Sequence, residues 1–455
     1  MIKTTFFLGL GLLLSFFQTH DVVEVHRSAE RLSVEELQED FAFFRARLKR
    51  YHPGLYTYAS GSEIDSAFAA IEAQLTQPMD DLAFYQLLSP LKSLIKDGHT
   101  YFYPNIYTRK QLTNQSSLPF NVYWDWEKLW VSALYVTDTE LKAGDKIISI
   151  NQVEAAEIVA KLMANIIRDG ENDTYPRWIM HQWFNEIYHY HYEVAEEWEI
   201  EIENSEGQRQ KITLPNPPLR SVPEQGNTTK GIELRYEGEV AILKVASFND
   251  LVLKKRYGQK FRPAIKQAFA EIDERRSQKL ILDLRDNQGG EIDNGRYLLS
   301  VLLEERFSLV QSLKKVVMSE QVADSARLSD KIFSDIKWTE AHFPFYDGEL
   351  VILINGGSFS CSGAVIGQLK SSLRGYIIGE ESGGNRRTFC GVGPDEQLPN
   401  SKISLSVPRV QFQVVDRGAN PGAGVMPDLY MVPSISDLLE GRDVVLAKAL
   451  EVINN

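Results

Sequence analysis

The sequence is poor in cysteine and in basic residues, and both shortages exclude a class of protein. Only two cysteines, Cys361 and Cys390, occur in 455 residues. A disulfide framework therefore does not hold the fold together, although one bridge between the two stays open if the compartment is oxidising. Acidic residues outnumber basic ones by 62 to 49, which gives a formal net charge of -13. This charge excludes a nucleic-acid partner, because phosphate binding needs a basic surface.

Long low-complexity stretches and fixed-period repeats are also missing, which excludes a disordered or solenoid protein. The composition, 43% hydrophobic and 24% charged, is typical of folded domains. A chain of 455 residues is too long for one ordinary domain. We therefore predict a globular protein of two or three domains.

A charged start and a short apolar run mark the N-terminus. Lys3 precedes the apolar residues 6–17, a run too short to span a bilayer. We predict that residues 1–20 are a signal peptide, so that the protein is exported to the periplasm or the extracellular space without an integral membrane span. Membrane association through this segment stays open, because no small-x-small cleavage site follows Phe17.

Three regions of different character follow. Residues 28–112 have helical periodicity. The first helix of this region begins with a capping box at Ser33, and the last one ends at Asp97-Gly98-His99-Thr100. Residues 118–215 contain short β-rich runs around the turn Gly144-Asp145. After a linker at 215–229, residues 230–455 alternate strands and helices, which predicts an α/β layer with largely parallel strands. Active sites of such layers lie at the carboxyl ends of the strands.

Two glycine-rich loops follow apolar strands in this last region, one ending at Gly289-Gly290 and one containing Ser358, Ser360 and Ser362. The second loop places hydroxyls at a strand-to-helix junction, where free amides and the helix dipole favour developing negative charge. A serine there can act as a nucleophile beside an oxyanion hole. The alternative is an N-cap and a tight turn without chemistry.

A serine nucleophile needs a base, and none of the eight histidines lies near Ser360 in the chain. His99 follows an Asp-Gly turn at the end of a helix, which predicts an exposed ring. The pair His189 and His191 suggests a metal site, but no cysteine or acidic partner stands at ligand spacing, so we expect a surface strand and no metal there. Other histidines are His20 and His26 in the export segment and His52 before a helix-breaking proline.

The order of motifs resembles that of the tricorn and C-terminal-processing family of serine peptidases over most of the chain. The matching segments are Asp97-Gly98-His99-Thr100, the strand from Gly144-Asp145 to Asn151, Asp283-Leu284-Arg285 with Asn287 and Gly289-Gly290, Ser358-Phe359-Ser360-Cys361-Ser362, Ile378-Gly379-Glu380-Glu381-Ser382-Gly383-Gly384, and Gly424-Val425-Met426-Pro427-Asp428.

This resemblance implies a multidomain α/β fold: an N-terminal helical region, a PDZ-like β-rich module at 118–215, and a ClpP/crotonase-like peptidase core at 230–455. It implies that Ser360 is the catalytic nucleophile and that the amides of Gly289 and Cys361 form the oxyanion hole. The lysine base of the processing branch would stand at Asn385, whose amide cannot accept a proton. His99 therefore takes the base role, as in the tricorn branch, and no metal or organic cofactor is implied.

The sequence departs from the family pattern around the base. The serine that supports the histidine in the tricorn branch corresponds to Gly98, and the supporting glutamate falls near Asn420-Pro421. Three acids are open as substitutes at the second ring nitrogen: Asp97, Glu380 and Glu381. The first glycine loop also carries Asp286 and Gln288 where glycine is usual.

The resemblance predicts an exported serine peptidase that cleaves extended polypeptides through an acyl-enzyme on Ser360. The departures at His99 favour an alternative, a catalytically weak or inactive protein that binds peptides by strand addition. An acyl-transfer enzyme for small thioesters would use the same loops but fits an exported protein poorly. The partner is a peptide or an unfolded protein in either main case.

Overall fold

The computed structural model describes residues 31–115, 118–137, 139–216, 230–315, 337–342, 345–391, 393–414 and 422–455. The predicted signal peptide, most of the predicted linker and Asn420-Pro421 lie outside these residues. No helix in the described ranges is long and apolar enough to cross a membrane.

The N-terminal part is a group of helices that share a core with a distant part of the chain. Its elements are α1 (Val34–Tyr51), α2 (Gly61–Glu72), α3 (Asp81–Leu88), α4 (Leu91–Ile95), β1 (Tyr101–Tyr103) and α5 (Ile106–Gln115). Ser33 and Glu36 form the predicted capping box of α1. Leu398, Leu405 and Val407 complete this core, so residues of the C-terminal half help to position the segment that ends at His99.

The middle part is an antiparallel sheet packed against two helices. Its elements are β2 (Phe120–Trp124), β3 (Leu129–Leu134), β4 (Lys146–Ile150), β5 (Val153–Glu154), α6 (Ala155–Ala164), α7 (Thr174–His189), β6 (Glu197–Glu203) and β7 (Arg209–Pro215). The strand order is β2-β3-β4-β6-β7, with β5 paired to β4. Buried residues alternate along β6, as expected for a sheet with one face on a core.

A six-stranded sheet of order β8-β9-β10-β12-β13-β18 forms the centre of the C-terminal half. Its strands are β8 (Ile232–Glu237), β9 (Val240–Val245), β10 (Lys279–Asp283), β12 (Glu349–Ile354), β13 (Tyr376–Gly379) and β18 (Leu429–Tyr430). All neighbours are parallel except β8 and β9. Strands β10 and β12 are continuous apolar runs because helices cover both faces of the sheet.

Helices and two small sheets surround this layer. The helices are α8 (Asp250–Tyr257), α9 (Phe261–Glu274), α10 (Ile292–Leu302), α11 (Cys361–Ser371), α12 (Ile435–Leu439) and α13 (Val444–Asn454). The remaining strands are β11 (Val310–Lys315), β14 (Thr388–Cys390), β15 (Asp395–Gln397), β16 (Ser404–Ser406) and β17 (Val410–Val414). They form the sheets β1-β16-β15 and β11-β17-β14.

The α/β class predicted from the sequence is confirmed, while the PDZ-like nature of residues 118–215 and the domain limits stay predictions. One local prediction is wrong. His189 is the last residue of α7, and both His189 and His191 are buried, so they do not lie on a surface strand. The aromatic residues around them were the missed signal, because such side chains pack into cores.

Candidate active site

Ser360 lies at a strained turn between β12 and α11. Its backbone has φ 56° and ψ −124°, a left-handed φ that non-glycine residues rarely adopt. Such strain costs roughly 1–3 kcal/mol and persists only where the surroundings impose it. The residue is also the N-cap of α11. Its hydroxyl therefore stands at the positive end of a helix dipole, where negative charge is stabilised.

Two glycines let neighbouring loops approach the nucleophile closely. A Cβ atom on Gly289 would lie 2.8 Å from the amide nitrogen of Cys361 and 2.9 Å from the Cβ of Ser360. A Cβ on Gly384 would lie 2.7 Å from the amide nitrogen of Ser360. Any side chain at these positions would push the loops away from the turn. The two glycines thus fix the backbone around Ser360.

His99 lies between α4 and β1 and reaches Ser360 across 261 residues of sequence. Its Nε2 is 2.9 Å from the Oγ of Ser360, a distance typical of a hydrogen bond between a base and a nucleophile. The predicted exposure of this ring is wrong, because His99 is 1% exposed. The Asp-Gly turn does end the helix, but Phe359 and Phe389 cover the ring that follows it.

The surroundings of His99 keep its imidazole neutral at pH 7. Burial lowers its pKa from 6.5 to about 4, while the negative charge of Asp97 acts in the opposite direction. A neutral imidazole with Nε2 at the hydroxyl can accept a proton. The nearby anion would then stabilise the imidazolium.

Asp97 is held as an anion by neighbours other than the His99 ring. The His52 ring contacts it through Nε2 at 3.0 Å, and the hydroxyl of Thr100 donates to it at 2.6 Å. The Nδ1 of His52 accepts the amide N–H of Gly54, so Nε2 carries the proton of a neutral ring and donates to Asp97. Burial acts to raise the pKa of Asp97, but the hydrogen bonds from His52 and Thr100 act in the opposite direction, and the pKa lies below its usual value.

None of the three acids left open by the sequence bonds the second ring nitrogen of His99. The Nδ1 atom is buried and has no hydrogen-bond partner among the described residues. Glu380 forms a buried ion pair with Arg177. Glu381 accepts the amide N–H of Gly424. Only Asp97 is close enough to act on His99 through its charge.

A fourth acid, Asp169, lies at the site and was missed in the sequence. It follows α6 in a polar loop with no motif to single it out, and it is 71 residues from Gly98, whose amide it accepts at 2.7 Å. One oxygen of Asp169, one of Asp97 and a ring nitrogen of His99 all lie within 4.8 Å of one another. Burial and the charge of Asp97 raise the pKa of Asp169, which favours its protonated form.

The predicted oxyanion donors flank Ser360, but one of them already has an acceptor. The amide N–H of Gly289 donates to the Oδ1 of Asn287 at 2.9 Å. A substrate oxygen at this amide would compete with that side chain. The side chain of Cys361 points into the core and reaches the carbonyl of Glu291 at 3.6 Å. No disulfide joins Cys361 and Cys390, so the bridge that the sequence left open does not form in this structure.

Two of the three other unusual residues of the site have structural partners. The side chain of Asn385, at the position of the lysine base, donates to the hydroxyl of Tyr58. Asp286 has φ 64° and accepts from Trp178 and Asn355. Gln288 is buried, and its Oε1 has no partner among the described residues.

Two groups of potential metal ligands lie side by side, His52 with Asp97 and Cys390, and Asp97 with His99 and Asp169. Several of the donors in these groups are already engaged with protein atoms. The ring of His52 contacts Asp97, and the ring of His99 contacts Ser360. Asp169 accepts the amide N–H of Gly98. The arrangement therefore fits proton transfer at a serine better than a built metal centre.

Comparison with known proteins identifies the C-terminal half. Residues 239–431 match peptidase family S41. The carboxy-terminal-processing protease of Bartonella bacilliformis is 24% identical over 222 residues, which cover 48% of this chain and 45% of that protein. The chloroplastic C-terminal processing peptidase of Tetradesmus obliquus is 30% identical over 173 residues, 38% of this chain and 32% of that protein. The chain thus matches less than half the length of either relative.

The fold as a whole is similar to a solved structure of mature CPAF complexed with lactacystin. The two share 15% sequence identity with a TM-score of 0.68, over 93% of this chain and 99% of the other. This similarity concerns the fold alone. It covers the N-terminal helices and the middle sheet as well as the C-terminal half. The family resemblance carried by the motifs is therefore confirmed for residues 239–431, the segment that matches peptidase family S41.

Proposed function

We propose that the protein is a serine peptidase in which Ser360 is the nucleophile and His99 the general base. The observation that carries this proposal is the 2.9 Å contact between Nε2 of His99 and Oγ of Ser360, made at a strained turn on a helix N-terminus. The family match supports the same chemistry. The base is a histidine, as in the tricorn branch, because Asn385 stands where the processing branch has lysine.

The reaction follows from this geometry. Nε2 of His99 takes the hydroxyl proton while Oγ of Ser360 bonds to the scissile carbonyl carbon, and the carbonyl oxygen becomes an oxyanion. The imidazolium then gives its proton to the leaving amine as the C–N bond breaks, which leaves an acyl-enzyme. A water molecule repeats the attack with His99 as base and releases the carboxylic acid. Asp97 stabilises the imidazolium by its charge.

The oxyanion would be held by the amides of Gly289 and Cys361, next to the positive end of α11. For the first of these amides the substrate must replace Asn287 as acceptor, which binding energy from an extended peptide can supply. The substrate class that we propose is therefore an extended polypeptide, in line with relatives named as processing proteases. No metal or organic cofactor takes part in these steps.

Covalent labelling with a fluorophosphonate probe tests this proposal. We expect the wild type to label and both Ser360→Ala and His99→Ala to lose the label, with cleavage of an unfolded polypeptide lost in parallel. A wild type that binds peptides at the site but neither labels nor cleaves would instead establish the peptide-binding alternative. The observation that favours this second outcome is the buried Nδ1 of His99, which has no hydrogen-bond partner among the described residues.

We further propose that the protein is exported, with residues 1–20 as the signal peptide, and that 28–112, 118–215 and 230–455 are its structural regions. The charged start and the short apolar run support export. N-terminal sequencing of the protein purified from its native compartment tests this directly. A mature chain beginning near residue 20 is expected, and an intact Met1 in the cytoplasm would contradict it.

A further inference from the structure

The imidazole of His99 is held through its ring faces. Its Nδ1 has no hydrogen-bond partner among the described residues. The ring lies on Phe359, with centroids 4.8 Å apart and planes 22° apart. Phe389 lies 6.0 Å away at 33°. Because a hydrogen bond at the second nitrogen is what usually orients a catalytic imidazole, another contact must fix the rotation of this ring.

Phe359 is also an inner ring of a longer stack of four. The ring of Tyr175 lies 3.9 Å from it with planes 3° apart, and Trp178 lies 5.9 Å from Tyr175 at 9°. Tyr175 and Trp178 belong to α7. At the far end, Nε1 of Trp178 donates to Asp286 at 2.8 Å. The stack thus runs from a helix of the middle part, across the nucleophile loop, to His99.

The nucleophile loop is shaped to admit α7. A Cβ atom on Gly356 would lie 2.3 Å from the carbonyl oxygen of Thr174, and one on Gly357 would lie 2.5 Å from Nε1 of Trp178. Neither contact is possible for a residue with a side chain. These loop glycines therefore serve the close packing of the helix that carries the stack.

Close packing against the stack also explains why Gly98, the residue before the base, is a glycine. A Cβ on Gly98 would lie 2.6 Å from the Cζ of Phe359 and 2.9 Å from Oδ1 of Asp169. The serine of the tricorn pattern does not fit beside this ring. The ring of Phe359 therefore occupies the space that the side chain of that serine would need.

We propose that Phe359 and Tyr175 are positioning residues that orient the imidazole of His99 toward Ser360 by ring stacking, in place of an acid bonded to Nδ1. This inference rests on the proposed function, since it assigns these rings a role in that reaction. Phe359 acts on the base directly and Tyr175 acts through Phe359. A misplacement of about 1 Å in a catalytic group costs about 10²-fold in rate, so loss of the stack affects the chemical step.

The test measures the maximal rate of labelling by a fluorophosphonate and its half-saturating concentration separately. For Phe359→Leu we expect the maximal rate to fall about 10²-fold and for Tyr175→Leu about 10-fold, with half-saturation unchanged. Tyr175→Phe should label at the wild-type rate, because the hydroxyl of Tyr175 is buried without a partner among the described residues and the ring is kept.

Phe184→Leu is the matched control for a general loss of packing. Phe184 lies on the same helix in the same core and is fully buried, but it is not part of the stack. We expect this variant to unfold at lower temperature and to label at the wild-type maximal rate. Equal losses in Phe184→Leu and Tyr175→Leu, or a wild-type rate in Phe359→Leu, would overturn the inference.

An NMR titration of His99 separates this inference from the proposed function. If the wild type does not label, the peptidase proposal fails, and the titration still decides whether the stack controls the ring. Burial lowers the pKa of His99 to about 4. We expect the pKa of His99 to rise toward 6.5 in Phe359→Leu and to stay at about 4 in Phe184→Leu. The same pKa in both variants would contradict the role of the stack.

Discussion

Ser360 and His99 meet at one hydrogen bond but are fixed in different ways. The backbone fixes Ser360 through a left-handed φ, its place at the start of α11 and two glycines in close approach. Side chains from three parts of the chain fix His99. Phe359 lies on the face of its ring, Tyr175 stacks on the other face of Phe359, and Asp97 lies beside the imidazole. The position of the nucleophile therefore depends on a short local segment, whereas the position of the base depends on packing between segments far apart in the chain.

The largest effect should come from the nucleophile itself. Ser360→Ala removes the attacking atom but no core contact, so we expect cleavage to fall at least ~10⁴-fold with little change in stability. The measurement is polypeptide cleavage with thermal unfolding as the control. Residual cleavage within ten-fold of the wild type would show that another group attacks the substrate.

The base should be the next most sensitive position. His99→Gln keeps a polar side chain but removes the proton acceptor, and we expect a loss of ~10²–10⁴-fold in the maximal rate. Single-turnover kinetics on a peptide ester measure it, because an activated leaving group isolates the attack of Ser360. A smaller loss than for Asp97→Asn would contradict the base role.

Asp97→Asn should have an intermediate effect. The amide keeps an acceptor for His52 but removes the charge that stabilises the imidazolium, so we expect a loss of roughly 10–10²-fold. The control is Glu381→Gln, which keeps an acceptor for the amide of Gly424 and should stay within two-fold of the wild type. Equal losses in the two variants would remove Asp97 from the mechanism.

The smallest effect should come from restoring the serine of the family pattern. In Gly98→Ser the new Cβ meets Phe359, and we expect the free energy of unfolding to fall by ~1–3 kcal/mol. Denaturant unfolding measures it. Combining this change with Phe359→Leu should recover part of the loss, and an additive result would show that the two positions do not share the same space.

The parallel layer could be predicted from the apolar strands, which are a local pattern. Local patterns also marked the glycine-rich loop and His99 as candidates, but their roles as nucleophile loop and base came from the resemblance in the order of motifs. Asp169, Tyr175 and the burial of His99 could not be predicted. They depend on contacts between residues far apart in the chain, as in the pair Gly98 and Asp169. The prediction of a surface strand at His189 failed for a different reason, because the aromatic residues around it indicate a buried segment and were not taken into account.

The pH dependence of Ser360 labelling tests the account most directly. His99 must be neutral to act, and burial lowers its pKa to about 4. Protonation therefore removes the base only below that value, and raising the pH above it restores the base. We predict that the labelling rate is half-maximal near pH 4, over a range where circular dichroism shows the folded protein, and that His99→Gln lacks this limb. A limb at 6.5 or above, or one that persists without His99, would contradict a buried histidine base.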